Sequence, residues 1–522
     1  MTLNRRLMMN SASGLAERFV NLFVQVWLYQ YLIKRISPEE YSLYPIVTAL
    51  LVFVPPLLVV LTSGLSRDTV EAHARNDDQR VTEITSTIFP LLLAAALGLA
   101  LLAVVATIYL GFILKIAPEN LSEARLMVLL LSGALSLRLI LVPFGVGLYV
   151  RQKFVVLNAL TMLQTVIRVG LLFVLLLGAG PRVLWVVVAS VVTDVGILLV
   201  TTLLSVQALP ALRFRFDRIR WRLLPGLMSF GFWNMIGSIG GMIRRSSDLL
   251  VLNWFATPID VNTFQLASLT DNQMDSALTK MQEPLLPHMV ALHTTGGPTA
   301  LQTLFTRVGR YNLWAALLVA TPLIAFRQQL WSLYLGSKFE VYREVPVVMV
   351  LLLVRYWIEM PIYLIGQTAY AMNRVRTLSI LVIVQSVFNL AITVYFVHVL
   401  RMRAVGSALG TLISVVIWSL FVAWKFSLNL MGLEFVPWFK AAVWRGVLPS
   451  AVAGLFALGW RYWIEPETIP ALLVATALVT SVYLLSIVLF CLDEDEYLQL
   501  KHLFEKFSSQ RIYKAFASRN EF

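Results

Sequence analysis

The sequence predicts an all-α polytopic membrane protein, with about fourteen transmembrane helices in two pseudo-symmetric six-helix lobes plus two C-terminal helices. Three observations predict it. Of 522 residues, 58% are hydrophobic and 14% charged, and the mean hydropathy is +0.77, more apolar surface than a water-soluble domain of this length can hide. Apolar runs of about 20 residues, enough to cross a ~30 Å hydrocarbon layer, recur from end to end. These runs are continuously apolar rather than alternating, which is a helical and not a β-barrel pattern.

The first lobe, residues 1–206, carries spans near Gly14 to Ile33, Tyr44 to Ser63, Ile84 to Leu110, Leu126 to Leu148, Val155 to Leu177 and Val183 to Leu204. A basic linker, 207–224, follows, and its run from Arg213 to Arg222 reads either as a topogenic loop or as a contact with anionic headgroups. The second lobe, 225–426, carries spans near Pro225 to Val251, Val261 to Leu286, Leu313 to Leu335, Val345 to Ala369, Leu378 to Val399 and Val405 to Phe426. Spans near Ala442 to Ile464 and Ile469 to Leu492 occupy 427–492. Residues 493–522 form a tail with an amphipathic pattern at Leu500, Leu503, Phe504 and Phe507. A shift of about 220 residues lays Ser37, Pro38, Glu40 and Tyr44 over Thr257, Pro258, Asp260 and Phe264, a weak repeat in register that fits parallel duplication.

Charge placement sets the orientation, because Lys and Arg concentrate on cytoplasmic loops. With the N-terminus inside, each half puts about 12 basic residues in the cytoplasm against about 5 outside. The two halves agree only if the polar segments around Arg244 and Asp271 both cross the membrane, so both termini are expected in the cytoplasm and the chain in the cytoplasmic membrane. The same rule accounts for a net charge of +13: the cations are scattered over short loops, and no nucleic-acid partner is expected. Cys491 is the single cysteine, which excludes an intrachain disulfide. The five histidines lack metal-ligand spacing and no glycine-rich phosphate loop is present, so no metal, cofactor or enzyme site is expected.

What remains to carry function is charge at bilayer depth. Each such charge costs at least ~2.5 to 3.5 kcal/mol, so it faces a wet cavity or a partner. The cations are Arg138, Arg168, Arg244, Arg245 and Arg355, with Arg18 beside Glu17. An arginine fork donates two parallel hydrogen bonds to phosphate and stays protonated, so these five are the candidate ligands of an anionic phosphate group; pairing with a carboxylate or snorkelling is the alternative. The candidate ion-coupling acids are Asp271, Asp275, Asp248 and Glu359. Asp248 lies one turn from Arg244 and Arg245, and Glu359 one turn from Arg355, so for these two a structural pair is the first reading. Asp271 and Asp275, one turn apart, either bind a coupling proton or cation or are satisfied by Lys280 and the neighbouring arginines. With Ser268, Asn272, Thr279 and Gln282 they form a polar stripe at helical spacing, a face that cannot meet lipid and is expected to line a cavity.

Several stretches resemble one family. Residues 35–44, Arg-Ile-Ser-Pro-Glu-Glu-Tyr-Ser-Leu-Tyr, are similar to the first external loop of polysaccharide-export flippases in the multidrug/oligosaccharidyl-lipid/polysaccharide (MOP) superfamily. Ser63 to Arg67, Arg244 to Leu252, Leu285 to Pro287, Leu335 to Glu340, Gly366 to Arg374 and Val405 to Gly410 continue the pattern in order. The resemblance implies two six-helix bundles around a cationic cavity and transfer of a polyprenyl-diphosphate-linked oligosaccharide for O-antigen, capsule or exopolysaccharide assembly. Helix eight is more polar here than the family pattern. The resemblance also implies a lipid-linked oligosaccharide substrate, membrane lipids as partners, and a polymerase and glycosyltransferases in the same pathway; a monomer is expected. A cation-coupled drug exporter of the same superfamily, with an acid-dominated cavity, and a non-transporting scaffold for glycan assembly are the competing readings.

Overall fold

The computed structural model describes residues 27–28, 30–51, 65, 68–73, 75–151, 153–282, 289, 297–372, 374–493 and 496–498. Most of the first expected span, the second half of the next, Arg67, Glu283, Leu285 to Pro287 and the tail pattern from Leu500 onward lie outside them. So do the side chains of Arg244, Arg245, Lys280 and Gln282, although their helices are described.

The described chain is helical, with no strand among the described residues. Among the described residues, ten helices are long and apolar enough to cross a membrane. Leucines, valines and isoleucines face outward along them, such as Leu97, Leu101 and Ile108 on one helix and Leu473, Leu485 and Leu489 on another. That is the inverse of a water-soluble surface and is what lipid covers. The chain is a multi-pass membrane protein. Two more long helices, Leu224–Phe255 and Pro258–Gln282, fall short of that apolar criterion; they are the polar pair that the charge bias required to cross. The ten apolar helices and this polar pair fit the all-α polytopic fold class read from the sequence; the two remaining expected spans fall largely outside the described residues.

Two compact units emerge from the packing. The first comprises residues 1–273, 334–352 and 373–414; the second comprises 274–333, 353–372 and 415–522. In the first lie α1 (Pro38–Leu51), α2 (Asp78–Ile108), α3 (Leu121–Gly145), α4 (Phe154–Gly178), α5 (Leu184–Ala208), α6 (Leu224–Phe255) and the start of α7 (Pro258–Gln282). Helix ends follow local chemistry. Asp77 caps α2 by accepting from the Arg80 amide at 2.8 Å. In the first turn of α7, the Asp260 carboxylate accepts from the Thr257 amide at 2.9 Å and hydroxyl at 2.6 Å, tying the helix to the residue that precedes it.

The second unit holds all of α8 (Gly297–Ala325), and α9 (Arg327–Leu335) begins in it. α10 (Val345–Val354) straddles the division, and α11 (Ile365–Ala371) belongs to the second unit. α12 (Val375–Val394) returns to the first unit, α13 (Arg403–Trp418) begins there, and α14 (Trp424–Met431), α15 (Arg445–Trp463) and α16 (Ile469–Phe490) complete the second.

One span sits elsewhere than hydropathy suggests. The run Leu313 to Leu335 was expected to cross as one segment, whereas α8 starts at Gly297 and ends at Ala325. The polar first half of α8 escapes a hydropathy window because Arg310 is there, yet that side chain is only 2% exposed. It donates to Asp493 at 2.9 Å, Glu496 at 2.5 Å and the Ala441 carbonyl at 3.2 Å, while Arg445 also pairs with Asp493. Burial pushes the Asp493 carboxyl up, but the bonds and charges of Arg310 and Arg445 outweigh it and hold the group below the usual carboxylate range. The segment after α16 is thereby clamped to α8 and α15. Cys491, at the foot of that clamp, is buried, and burial raises its thiol.

Candidate functional site

The first unit contains a carboxylate caged by hydroxyls. Asp248 on α6 is 3% exposed. Its Oδ1 accepts from Thr393 Oγ1 at 3.1 Å and Ser407 Oγ at 2.9 Å, and its Oδ2 from Thr411 Oγ1 at 3.2 Å. Thr393 comes from α12; Ser407 and Thr411, one turn apart, come from α13. Asn389, one turn before Thr393, donates to Thr411 Oγ1 at 3.3 Å and Ser414 Oγ at 3.0 Å. Its Oδ1 is buried and has no hydrogen-bond partner among the described residues.

Glycines allow the three helices to meet. A Cβ on Gly240 of α6 would stand 2.9 Å from Val382 Cγ1, and one on Gly410 of α13 would stand 2.9 Å from Thr393 Cα. Ser386 Oγ donates to the Gly240 carbonyl at 2.6 Å, closing α6 onto α12. The result is a carboxylate, three hydroxyls and an unused amide oxygen. That donor set suits a hard cation or a proton and repels an anion. Asp271 on α7 acts on Asp248 through its charge.

The same unit holds a cavity of about 420 Å³ between α1, α3, α4 and α5, whose polar lining is Thr48, Arg138, Gln164, Asp194 and Thr201. Gln164 Nε2 donates to Asp194 Oδ1 at 2.7 Å. Arg138 makes no ion pair or hydrogen bond among the described residues. Arg168 is one turn beyond Gln164 on α4, outside the lining. Arg138 was a candidate from the sequence; Gln164 and Asp194 were not. The signal was present, since Asp194 is a lone acid in the apolar run from Val183 to Leu204.

In the second unit Arg355 and Glu359 form an ion pair one helical turn apart, and Arg355 also donates to the Tyr356 hydroxyl at 3.2 Å. Its guanidinium carbon stands 4.6 Å from the Tyr356 ring centroid. Tyr363 bridges two positions of the polar stripe, donating to Asp275 Oδ1 at 3.3 Å and sharing a 2.9 Å bond with Thr279. Thr279 and Asn272 are exposed. Ser268 is buried and donates to the Phe264 carbonyl of its own helix, so its hydroxyl proton is committed locally. Arg244 and Arg245 lie on α6 one turn before Asp248. Among the described residues, no group of three or more His, Cys, Asp or Glu side chains could hold a metal.

Long apolar helices, with an oxygen cage and a charged cavity in the first unit, make this a polytopic helical membrane fold. No protein-family model matches the chain, and no curated protein matches it in sequence. Solved structures do. MurJ, a lipid II flippase in an inward closed conformation, superposes with a TM-score of 0.67 at 13% identity, covering 92% of this chain and 98% of MurJ. An inward-facing multidrug resistance MATE family transporter of the MOP superfamily gives 0.58 at 14% identity, covering 80% of this chain and 96% of that one. A MOP superfamily transporter from Pyrococcus furiosus, described as having a binding pocket of reversed polarity, gives 0.54 at 13% identity over 82% and 94%. The chain therefore has the fold of MOP superfamily transporters.

Proposed function

We propose that the protein is a flippase that carries a polyprenyl-diphosphate-linked oligosaccharide across the cytoplasmic membrane by alternating access, supplying assembly of a surface polysaccharide such as an O-antigen, capsule or exopolysaccharide. The observation that carries the reading is Arg138: a permanently charged fork within a membrane span, lining a 420 Å³ cavity and left without a protein partner among the described residues. A guanidinium at that depth, lining a cavity and with no carboxylate partner among the described residues, is available to an anionic headgroup. Arg168, Arg244, Arg245 and Arg355 are the further diphosphate ligands, Arg355 exchanging Glu359 for phosphate. Similarity in fold to a lipid II flippase supports a lipid-linked cargo.

Coupling is assigned first to the Asp248 cage, whose oxygens match a cation or proton, with Asp271, Asp275 and Glu359 as secondary acids and Ser268, Asn272, Thr279 and Gln282 lining the path. The working protein is a monomer in the inner membrane with both termini cytoplasmic, serving glycosyltransferases and a polymerase of the same pathway.

Proteoliposomes loaded with a fluorescent polyprenyl-diphosphate-linked oligosaccharide test the reading through loss of inner-leaflet label. Transport by the wild type, and its loss in Arg138→Ala, is expected. The second reading, a cation-coupled drug exporter, is favoured by the acids Asp194, Asp248, Asp271 and Asp275. Uptake of cationic dyes with no movement of the lipid-linked sugar would establish it instead.

A further inference from the structure

The linker between α5 and α6 has an ordered main chain and an unusually cationic outer face. Thr82 Oγ1 donates to the Ala211 carbonyl at 2.9 Å, Ser86 Oγ to the Arg213 carbonyl at 3.4 Å, and Ser86 Oγ and Thr87 Oγ1 accept from the Arg215 and Arg220 amides at 3.0 and 2.9 Å. These hydroxyls lie on neighbouring faces of the first turns of α2. The linker backbone thus satisfies itself inward. Around Arg215 the chain is extended (φ −140°), so neighbouring side chains alternate. Phe214 packs inward on Phe89, ring centroids 5.0 Å apart, and Arg213 and Arg215 are exposed.

Not every cation here is free. Arg218 stands 3.5 Å from Asp217, and Glu83 holds Arg80 at 3.6 Å and Arg220 at 3.7 Å. Arg213, Arg215 and Arg222 are exposed and make no ion pair among the described residues. Beside them Phe216 is 81% and Trp221 57% exposed. Exposed arginines interleaved with a bare phenylalanine and tryptophan suit a membrane–water interface, where rings sit at headgroup level and guanidiniums bind phosphate. The linker starts where the membrane span α5 ends, at Ala208, so it is already tethered at that depth.

We propose that residues 209–223 form a docking surface for anionic phospholipid headgroups, with Arg213, Arg215 and Arg222 as phosphate ligands and Phe216 and Trp221 as interfacial anchors. A basic side chain near an anionic bilayer contributes about a fivefold preference, so three arginines, incompletely additive, give about tenfold or more. The role is independent of what the protein transports.

The test uses the full chain in phosphatidylcholine bilayers, reading the Trp221 fluorescence as wild type minus Trp221→Phe. Brominated phosphatidylglycerol is expected to half-quench it at a mole fraction about tenfold lower than brominated phosphatidylcholine does. Raised salt should shrink that ratio, because screening weakens charge attraction. Arg→Gln at 213, 215 and 222 together should bring it near one, and Arg→Lys at the same positions should preserve most of it. Equal quenching by the two lipids in the wild type, no quenching by either, or an unchanged preference in the glutamine variant overturns the proposal. If the glutamine variant does not assemble, the wild-type lipid ratio and its salt dependence decide alone.

Discussion

Replacing Asp248 with asparagine removes one charge while keeping shape. In the cage, Thr393 and Ser407 donate to Oδ1 and Thr411 to Oδ2. Asparagine keeps the Oδ1 acceptor, so two bonds survive in weaker, uncharged form, and Thr411 must turn its lone pair toward the new amide. Since a hydrogen bond to a charged group contributes about 1.5–3 kcal/mol and a neutral one about 1, the fold loses about 1–3 kcal/mol. A bound cation loses more. Opposite unit charges 4 Å apart at an effective dielectric of about 20 attract by about 4 kcal/mol, which is about three decades in dissociation constant.

Thermal unfolding of the detergent-solubilised protein separates the two effects. A cation at a hundredfold its dissociation constant stabilises by about 2.7 kcal/mol. The wild-type melting temperature should therefore climb with one of sodium, lithium or potassium at fixed ionic strength. The asparagine variant should melt slightly lower without cation and stay flat as cation is added. A wild type whose melting temperature responds to none of the three ions and whose transport in proteoliposomes is unchanged by a pH gradient, or a variant that keeps the full response, refutes the cage as the coupling site.

In the transport assay, Arg138→Ala should abolish movement of the lipid-linked substrate and Arg138→Lys should retain a minor part, because lysine keeps charge but loses the fork; equal rates for Lys and wild type would remove bidentate phosphate binding. Gly309→Ala places a Cβ 2.3 Å from the Pro361 carbonyl oxygen and should cost about 1–3 kcal/mol by forcing backbone apart, measured as a lower melting temperature. The Asp493 carboxyl is held below its ordinary range, so its contribution is complete above the unfolded-state carboxylate pKa and is lost as pH falls through the lower folded value. Melting curves taken downward from pH 6 should accordingly drop less steeply for Asp493→Asn than for wild type; parallel profiles would show that the clamp does not titrate.

Local sequence carried part of the site. Glu359 and Arg355 meet because four positions along a helix are one turn, and that spacing is visible without a structure. Apolar spans are likewise visible because lipid imposes their length, and the polar α6 and α7 were recoverable from charge bias although each misses the hydropathy threshold. The Asp248 cage was not visible. Its neighbours in sequence are Arg244 and Arg245, whereas its hydroxyl donors lie 145 to 163 residues away, and serines and threonines in transmembrane helices are too common to mark a site by themselves. Asp194 is a different case: a single acid in an apolar span is a sufficient signal, and the more crowded charge clusters drew attention from it.

The Arg310 clamp sets a schedule for biogenesis. Its first acidic partner, Asp493, lies 183 residues downstream. At synthesis rates of about 5–20 residues per second, the arginine waits roughly 9 to 37 seconds for that counter-charge to emerge. A buried cation left alone is destabilising by several kcal/mol, so during that interval the head of α8 has to stay at the aqueous edge, hydrated and undocked. The bundle of α8, α15 and α16 is then locked by a segment that follows all three, so docking of the head of α8 waits on synthesis of Asp493 and Glu496. A ribosome that stalls short of them releases a chain with an unanswered charge, the kind of defect membrane quality-control proteases can read.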